Sequence, residues 1–340
     1  MFVEFLPMLF LIQASSAIFV YFDSKKRKIA NPLSWVIGVA LLMPFSLPLY
    51  VLLRPRKGLF YCPNCLTENI FPIGHCKNCG VEITHERIKL EQMEWGVLDA
   101  IAILILSFFV LPLSLAGIGD IFGIVDKSLK SWSSMFFLNF MGSASLLGLS
   151  LWFILKVCKR QLKDVGLTRE HLYRNILIGV LAIIPAFALA YAMEEMVVRG
   201  LTNLLPSQAE LISQIQEQEH AGPAGIWPEW TESIGDAGQI IGAGFLMIAL
   251  APLAEEIMFR GMFYTALRKR RNKWWAMVLT SLVFAFSHGQ LLHFMAIFSS
   301  GFLLVYLYDR TKSLVPSISL HVSMNLLFVI LWYCSPNLYT

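Results

Sequence analysis

The sequence predicts an all-α polytopic membrane protein with about eight to nine transmembrane helices and one small zinc-ribbon module. Its 340 residues are 56% hydrophobic and 15% charged, whereas charged residues make up about 25% of a typical soluble domain. Long apolar runs alternate with short connections rich in Lys and Arg, a pattern typical of membrane-spanning helices. Two C-x-x-C pairs lie close together in a short polar stretch, which is typical of a zinc site. The net charge of +4 is modest and gives no reason to expect a nucleic-acid partner.

The apolar runs define the expected spans. In chain order they cover residues 1–22, 33–53, 96–117, 136–157, 176–193, 240–267, 274–289, 291–308 and 315–333. The first run carries Glu4 and lacks the basic start of a signal peptide, so we expect it to remain as a span or membrane anchor. Pro44 and Pro48 lie inside the second run, where a membrane helix tolerates prolines but is kinked by them.

Basic connections predict the topology of the chain. Lys and Arg cluster in 156–174 and in 268–273, which places both connections in the cytoplasm and the acidic loop 198–236 outside. Counting spans back from these connections puts the C-x-x-C pairs in the cytoplasm. Two full spans before those pairs would put Lys25–Lys28 outside, against the positive-inside rule. Either that loop is an exception or one of the first two segments does not cross.

The two C-x-x-C pairs are expected to hold one structural zinc ion. They comprise Cys62 and Cys65 and, ten residues later, Cys76 and Cys79. Four thiolates satisfy the tetrahedral coordination that Zn²⁺ prefers. Disulfides or a redox C-x-x-C are the alternatives, but a redox site needs only one pair, and a thiolate cage suits a reducing compartment. With four Cys ligands, His75 is a bystander, and we expect the ribbon to be purely structural or to bind a protein partner.

Ionisable residues inside the apolar run 240–267 mark the expected chemical site. Charged groups at membrane depth are costly, so they normally face a protein interior or a water-filled cavity. Glu256 and Arg260 are four residues apart, so they share a helical face and can pair. Glu255 lies about 100° around the helix from its neighbour, with no basic residue three or four positions away. It is the freer carboxylate and could act as a general base or a metal ligand.

Two later apolar runs add imidazole and amide groups. Phe284 and His288 are four residues apart in one run, and His321 and Asn325 are four residues apart in the other, so each pair lies on one helical face. Hydrolysis of an amide by water requires a base for the water and donors for the oxyanion, and these side chains supply both.

Structural roles are the alternatives for the same residues. The glutamates could belong to a buried ion pair with Arg260, and His288 could be a satisfied core histidine. His321 and Asn325 could form hydrogen bonds between helices.

The order E-E-x-x-x-R, F-x-x-x-H and H-x-x-x-N resembles the CPBP family, which comprises type II CAAX prenyl endopeptidases and bacteriocin-processing and self-immunity proteins. The resemblance covers roughly residues 240–330 and extends more weakly back to about 165. It implies an integral membrane endopeptidase. The implied catalytic residues are Glu255, Glu256, Arg260, His288, His321 and Asn325.

In the mechanism that the resemblance implies, Glu255 and His288 activate the water. His321 and Asn325 hold the oxyanion or complete the water site, and the paired Glu256 supports them. Both a metal-free glutamate mechanism and a catalytic zinc ion held by Glu255, His288 and His321 stay open. The prenyl endopeptidases cleave a prenylated Cys-aliphatic-aliphatic-X peptide. Since the N-terminal ribbon departs from that pattern, we expect a peptide or protein substrate whose lipidation is left open.

A second E-E-x-x-x-R-G pattern lies at the watery end of the fifth span. It comprises Glu194 and Glu195, with Arg199 four residues after the latter. No F-x-x-x-H follows at helix-to-helix distance, so the chemistry is assigned to 255–260, and Glu195 is expected to pair with Arg199. His293 is expected to be a loop or rim residue.

The loop after this second pattern contains three apolar residues, Leu211, Ile212 and Ile215. They either form an amphipathic segment on the membrane surface or over the cavity, or they belong to an ordinary solvated loop.

The chain is expected to have four parts: N-terminal membrane segments (1–54), the zinc ribbon (55–90), additional transmembrane helices (91–160) and a CPBP-like protease core (161–340). We expect it in the bilayer of the bacterial cytoplasmic membrane, with the ribbon in the cytoplasm. A non-catalytic adaptor or self-immunity protein, with the ribbon binding a partner, is the alternative function. A transporter is a third, but the sequence shows no inverted repeat and no clear pair of broken helices.

Overall fold

The computed structural model of the protein describes residues 2–27, 29, 31–54, 59–61, 68–70, 74–76, 78–82, 95–121, 132–220, 237–269 and 271–334. Most of these residues are helical, as the predicted fold class requires. The chain divides into two compact units, one formed by Met1–Val110 with Leu151–Gln161 and the other by Leu111–Ser150 with Leu162–Thr340. All the residues of the predicted chemical site lie in the second unit.

The N-terminal unit contains α1 (Phe2–Lys26), α2 (Pro32–Leu53) and α3 (Val97–Ile105). One carboxylate fastens the end of α1 to the end of α2. Asp23 Oδ2 accepts hydrogen bonds from Arg27 Nε at 2.7 Å, Tyr50 Oη at 2.9 Å and Arg54 Nη1 at 3.0 Å. Burial raises the pKa of Asp23, but the bonds from Arg27 and Tyr50 and the charge of Arg54 outweigh burial and hold the pKa below its usual value.

The predicted proline kink in α2 is confirmed. Leu42 has a non-helical backbone, with φ −131° and ψ 44°, two residues before Pro44. A proline inside a helix lacks an N–H and its ring clashes with the carbonyl four residues earlier, so the backbone before it leaves the helical conformation. The Ser46 hydroxyl donates to the Gly38 carbonyl at 2.7 Å, across the distorted turn.

The predicted ribbon contains a short β-hairpin followed by a tight turn. In the turn, the Cys76 sulfur accepts a hydrogen bond from the Asn78 N–H at 3.5 Å, and the Cys76 carbonyl accepts one from the Gly80 N–H at 3.0 Å. An N–H directed at sulfur favours the thiolate that a metal requires. Cys62 and Cys65 lie outside the described residues, so the four-cysteine site stays a prediction. The antiparallel hairpin strands are β1 (Leu59–Tyr61) and β2 (Glu68–Ile70), with Leu59 opposite Ile70.

The chain continues through further helices, which are, in order, α4 (Leu111–Ile121), α5 (Trp132–Trp152), α6 (Leu172–Leu181), α7 (Ile183–Leu204), α8 (Ala209–His220), α9 (Ala237–Gly244), α10 (Ala251–Glu256), α11 (Thr265–Arg268), α12 (Lys273–His288), α13 (Phe294–Thr311) and α14 (Val315–Cys334). Residues 209–220 are therefore helical, and the alternative of an ordinary loop is wrong for this segment. Ile212 of α8 is buried, whereas its neighbour Leu211 is exposed. This pattern is that of an amphipathic helix.

Helical backbone is continuous from Ala237 to Arg268, and we call this run the glutamate helix. It consists of α9, α10 and α11, joined by π-helical turns at Phe245–Leu250 and Ile257–Tyr264. All eight residues of the second turn are buried, including Arg260. The run packs against α12, α13 and α14, while α6 packs against α14 and α7 against α13. A helix that is surrounded by other helices can carry buried charged side chains only if each is paired with an opposite charge.

Five helical runs in the described part of the chain are long and apolar enough to cross a membrane: Pro32–Leu53, Val97–Asp120, Ser133–Val157, Leu172–Leu204 and Ile241–Arg268. They correspond to predicted spans at 33–53, 96–117, 136–157, 176–193 and 240–267. The predicted count of eight or nine spans is not confirmed. One physical reason is length, since α12 has 16 residues and at 1.5 Å per residue is about 24 Å long, shorter than a hydrocarbon core of ~30 Å.

A glycine permits the close approach of α6 to α14. A Cβ added at Gly179 would lie 2.3 Å from the Pro316 carbonyl oxygen and 2.6 Å from the Ser319 Cβ, so backbone atoms of the two helices would have to separate. Glycine otherwise weakens a helix relative to alanine. Its presence in α6 is therefore explained by packing.

We expect Gly179→Ala to lower the thermal unfolding midpoint of the detergent-solubilised protein, because overpacking a close contact costs about 1–3 kcal/mol. Gly200→Ala is the matched control, since Gly200 lies in α7 with open space around the position of an added Cβ. That variant should be neutral or slightly more stable. Equal midpoints for both variants would contradict the described packing of α6 on α14.

Candidate active site

The glutamate helix, α12 and α14 supply the predicted site residues. Glu255 and Glu256 end α10, and the π-helical turn that follows carries Arg260. His288 is the last residue of α12, and His321 and Asn325 lie on α14. π-Helical turns inside α-helices occur often at functional sites, since they displace side chains from their regular positions.

The predicted pairing of Glu256 with Arg260 is confirmed, and a histidine joins it. Arg260 Nη1 donates to Glu256 Oε1 at 2.7 Å, and both side chains are fully buried. His321 Nδ1 lies 2.8 Å from the same oxygen. Arg260 Nη2 also donates to the Gly301 carbonyl of α13 at 3.2 Å. Glu256 is thus neutralised and fixed from two sides, and cannot move freely as a base.

Phe284 closes one side of this ion pair. Its ring lies 4.4 Å from the Arg260 guanidinium carbon, 4.6 Å from the His288 ring and 5.9 Å from the His321 ring, measured to ring centroids. A cation over an aromatic face is stabilised by the ring quadrupole, most strongly where water is excluded. Phe284 therefore packs against the site, and its packing holds the arginine and both imidazoles in place.

Hydrogen bonds fix which nitrogen of each histidine carries a proton. His288 Nδ1 lies 2.8 Å from the Phe284 carbonyl oxygen, and since a carbonyl only accepts, Nδ1 is the donor. His321 Nδ1 likewise donates to the Glu256 carboxylate. In the neutral imidazoles, Nε2 of each ring is therefore an acceptor with an exposed lone pair.

Glu255 faces both of these lone pairs. Its Oε2 lies 4.0 Å from His288 Nε2 and 3.9 Å from His321 Nε2, distances too long for direct hydrogen bonds. The same oxygen is buried without a hydrogen-bond partner in the described part of the chain. A water molecule at about 2.8 Å could donate to Glu255 Oε2 and to one of the two Nε2 atoms, because water has two O–H donors.

The donor types at this point also suit a zinc ion, so spacing is the test. Two donors about 2.0–2.2 Å from a tetrahedral zinc ion are roughly 3.3–3.6 Å apart, which is closer than the 3.9 and 4.0 Å observed. Within the described ranges, no group of three or more His, Cys, Asp or Glu side chains has the geometry to hold a metal ion. The spacing of Glu255, His288 and His321 is therefore wider than zinc coordination requires.

Asn325 has a structural partner that explains its position. Its Nδ2 donates to the Met247 carbonyl at 2.7 Å. In the π-helical turn the Ala251 N–H bonds to the carbonyl five residues earlier, and the next such donor would be residue 252, which is a proline without an N–H. Asn325 supplies the missing hydrogen bond. Asn325 therefore forms the hydrogen bond between helices that was the alternative to a catalytic role. To stabilise an oxyanion as well, Asn325 would have to use the second N–H of its side-chain amide.

The two glutamates of the second E-E-x-x-x-R pattern have different partners. Glu195 pairs with Arg199 at 2.5 Å on the exposed side of α7, as predicted. Glu194 instead contacts His293, which also contacts Glu219 of α8. Glu219 is 74 residues from His293 in the chain, so no spacing rule in the sequence could have found this cluster.

Removing Arg260 should destabilise the protein far more than removing its counterpart in the second pattern. We expect Arg260→Met to cost about 3–5 kcal/mol, because it leaves the buried Glu256 charge without compensation. Arg199→Met is the matched control, because that side chain is 77% exposed and such pairs contribute about 0–1 kcal/mol. Thermal unfolding in detergent measures both.

The double variant Arg260→Met with Glu256→Leu completes this test. It should recover part of the loss, because neither charge is then left unpaired. A double variant as unstable as the sum of the two single variants would contradict the coupling of Glu256 and Arg260.

Comparison with known proteins places this site within a recognised region. Residues 237–327 match the model of the family described as type II CAAX prenyl endopeptidase Rce1-like. Over 104 residues the chain is 32% identical to the putative membrane peptidase YdiL of Bacillus subtilis (strain 168), covering 30% of this chain and 43% of that relative. The chain thus spans less than half the length of this relative, and no solved structure matches it. Together with the five apolar helices, both matches support an integral membrane protein whose residues 237–327, which include all six predicted site residues, are similar to this peptidase family.

Proposed function

We propose that the protein is a membrane endopeptidase that hydrolyses a peptide bond with a water molecule activated by Glu255. One observation carries the proposal. The buried, unpartnered Oε2 of Glu255 and the Nε2 atoms of His288 and His321 converge within 3.9–4.0 Å in the region that matches the peptidase family. Three polar groups that share no direct hydrogen bond, at membrane depth, have the arrangement of a water-activating site.

The chemistry follows from the hydrogen bonds at the site. Glu255 takes a proton from the water with His288 orienting it, and the water oxygen forms a bond to the carbonyl carbon of the peptide. His321 stabilises the resulting oxyanion when its ring is doubly protonated, because Nε2 then carries an N–H that donates to the oxyanion and Glu256 at Nδ1 balances the positive charge of the ring. The C–N bond then breaks, and protonated Glu255 returns its proton to the leaving amine. Asn325 orients α14 against the glutamate helix and supports this geometry.

Glu255 and Glu256 are adjacent but are assigned different roles. Glu256 is ion-paired, so its charge is fixed and serves the His321 ring. Glu255 has 16% of its side chain exposed, although its Oε2 atom is buried, so it is the more accessible of the two carboxylates. Pairs of carboxylates in different environments commonly divide catalytic work in this way. A catalytic zinc ion would be held by Glu255, His288 and His321 and would supply a Lewis acid at the same point.

The remaining features of the proposal concern substrate and placement. The substrate is a peptide or protein at the bilayer, and the prenyl group that the family description names is left as a variable of the experiment. We propose eight to nine membrane-crossing helices in a bacterial cytoplasmic membrane, with the ribbon in the cytoplasm, where reduced thiols persist. The ribbon would hold a structural zinc ion and could dock a protein partner.

The first test removes the base alone. Glu255→Gln keeps the side-chain volume but cannot take a proton, so we expect cleavage of a fluorogenic Cys-aliphatic-aliphatic-X peptide to fall by about 10²–10⁴-fold. Assays with the prenylated and the unmodified peptide in parallel show whether the lipid is needed. Glu210→Gln is the control, because Glu210 is exposed and contacts only Gln214 in the described hydrogen bonds. Full activity of Glu255→Gln would favour the adaptor over the peptidase.

Zinc content separates the ribbon from the site. Purified protein should hold about one zinc ion per chain in the four-cysteine ribbon. Replacing Cys62, Cys65, Cys76 and Cys79 with Ser should remove it. Zinc that persists in this variant and disappears when His288→Ala is added would assign a second ion to the active site. Wild-type protein without zinc would contradict the ribbon prediction.

A further inference from the structure

A second carboxylate–histidine cluster lies outside the candidate active site, at the beginning of α13. It comprises Glu194 of α7, Glu219 of α8 and His293, the residue before α13, and we call it the α13 cluster. Only 13–16% of each side chain is exposed. Three largely buried ionisable groups from three elements require a physical explanation.

Glu219 binds the start of α13 with both carboxylate oxygens. Oε1 accepts a hydrogen bond from the Leu291 N–H at 2.5 Å, and Oε2 accepts from the Leu292 and His293 N–H groups at 2.9 Å each. These three N–H groups precede Phe294, the first residue of α13, and His293 among them is the N-cap of the helix. The Glu219 carboxylate satisfies all three donors, and its negative charge lies at the end of the helix that the helix dipole makes positive.

His293 joins Glu219 to Glu194. Its Nδ1 lies 2.8 Å from Glu219 Oε2, and its Nε2 lies 3.3 Å from Glu194 Oε1. Gln216 Nε2 donates to the same Glu194 oxygen at 3.3 Å. The cluster therefore fastens α7, α8 and the start of α13 at one point.

The geometry selects one protonation state of His293. A carboxylate only accepts hydrogen bonds, and a neutral imidazole carries a single N–H, so only the doubly protonated ring donates to both Glu194 and Glu219. Burial of His293 lowers its pKa, but the hydrogen bonds and charges of Glu194 and Glu219 outweigh burial and raise the pKa above its usual value.

The cluster holds the segment that follows His288. α12 ends at His288, and Gly289 turns the chain with φ 68°, a conformation that favours glycine. Gln290 donates from its side chain to the Glu219 carbonyl at 3.4 Å, and the next three backbone N–H groups are bound by the Glu219 carboxylate. Every residue from 290 to 293 is thus tied to Glu219.

We propose that Glu194, Glu219 and His293 are positioning residues that hold the His288 turn in place while His293 is protonated. Their effect on catalysis rests on the proposed peptidase function, whereas their effect on the turn rests on the cluster alone. The second E-E-x-x-x-R pattern thereby gains a role, since one of its glutamates forms the surface ion pair and the other belongs to the cluster.

The direction of the pH dependence follows from the raised pKa. The stabilisation is fully present below the usual histidine pKa of about 6.5, and it is lost as pH rises through the raised value in the folded protein. The turn should therefore loosen as pH rises through the raised pKa of His293.

Hydrogen exchange tests the cluster without a peptidase assay. In detergent-solubilised wild type and Glu255→Gln, we expect protection of the Leu291–His293 amides, corrected for the chemical exchange rate at each pH, to fall between pH 6 and pH 9, because the doubly protonated ring that joins Glu194 to Glu219 is lost. Amides in the middle of α13 are the internal control. Equal protection of Leu291–His293 at both pH values overturns the proposal.

Activity then tests the link to His288. We expect Glu194→Gln and Glu219→Gln to lower kcat more than they change KM and to move the alkaline limb of the pH profile to lower pH. Glu195→Gln is the matched control, because it removes the neighbouring carboxylate on the same helix but touches only the surface ion pair. An alkaline limb that stays in place in Glu194→Gln overturns the positioning role. Full activity of Glu255→Gln would instead sink the peptidase proposal and leave the exchange result standing.

Discussion

The buried ion pair between Glu256 and Arg260 is the constraint on which the second unit depends. Two charges removed from water are tolerated only when they are closely paired and held by further contacts, although Glu256 Oε2 and Arg260 Nε have no hydrogen bond in the described part of the chain. Partners therefore converge on the pair from three other helices, namely the His321 ring of α14, the Gly301 carbonyl of α13 and the Phe284 ring of α12. The same contacts that compensate the charges also assemble the helices that carry the two imidazoles.

This arrangement separates two neighbouring glutamates into different chemical states. Glu256 is enclosed and paired, and it directs the His321 ring through Nδ1. Glu255, one residue earlier, faces the two Nε2 lone pairs at distances that leave room for water. The backbone helps in this separation, because π-helical turns flank the glutamates on both sides. Pro252, which follows the first turn, lacks an N–H, and Asn325 of α14 supplies the missing hydrogen bond to the Met247 carbonyl, which links the two helices.

The α13 cluster repeats the same physical logic just before the start of α13, with side chains that are 13–16% exposed. A histidine lies between two carboxylates, and the charges are compensated by one another and by the backbone N–H groups of residues 291–293, which precede α13. The two sites differ in burial. The Glu256–Arg260 pair is fully buried and contains an arginine, whereas the α13 cluster is partly exposed and contains a histidine. Arginine keeps its charge at all ordinary pH values, which suits a fully buried ion pair. Histidine can lose its charge, which suits a contact that changes with pH.

The sequence by itself determined the helical membrane class, the kink of α2, the pairing of Glu256 with Arg260 and of Glu195 with Arg199, and the candidate site residues. These follow from composition and from contacts three or four residues apart, where helical geometry fixes neighbours. The sequence did not determine the number of membrane-spanning helices. Whether a helix crosses the bilayer depends on its length and on the polarity of its ends, and both differ from one helix to the next. Only the tertiary structure decided that His321 binds Glu256, that Asn325 satisfies the Met247 carbonyl and that Glu219 holds the start of α13. Those contacts join residues 65 to 78 positions apart, and they exist because buried polar groups must find partners wherever the packed helices bring them.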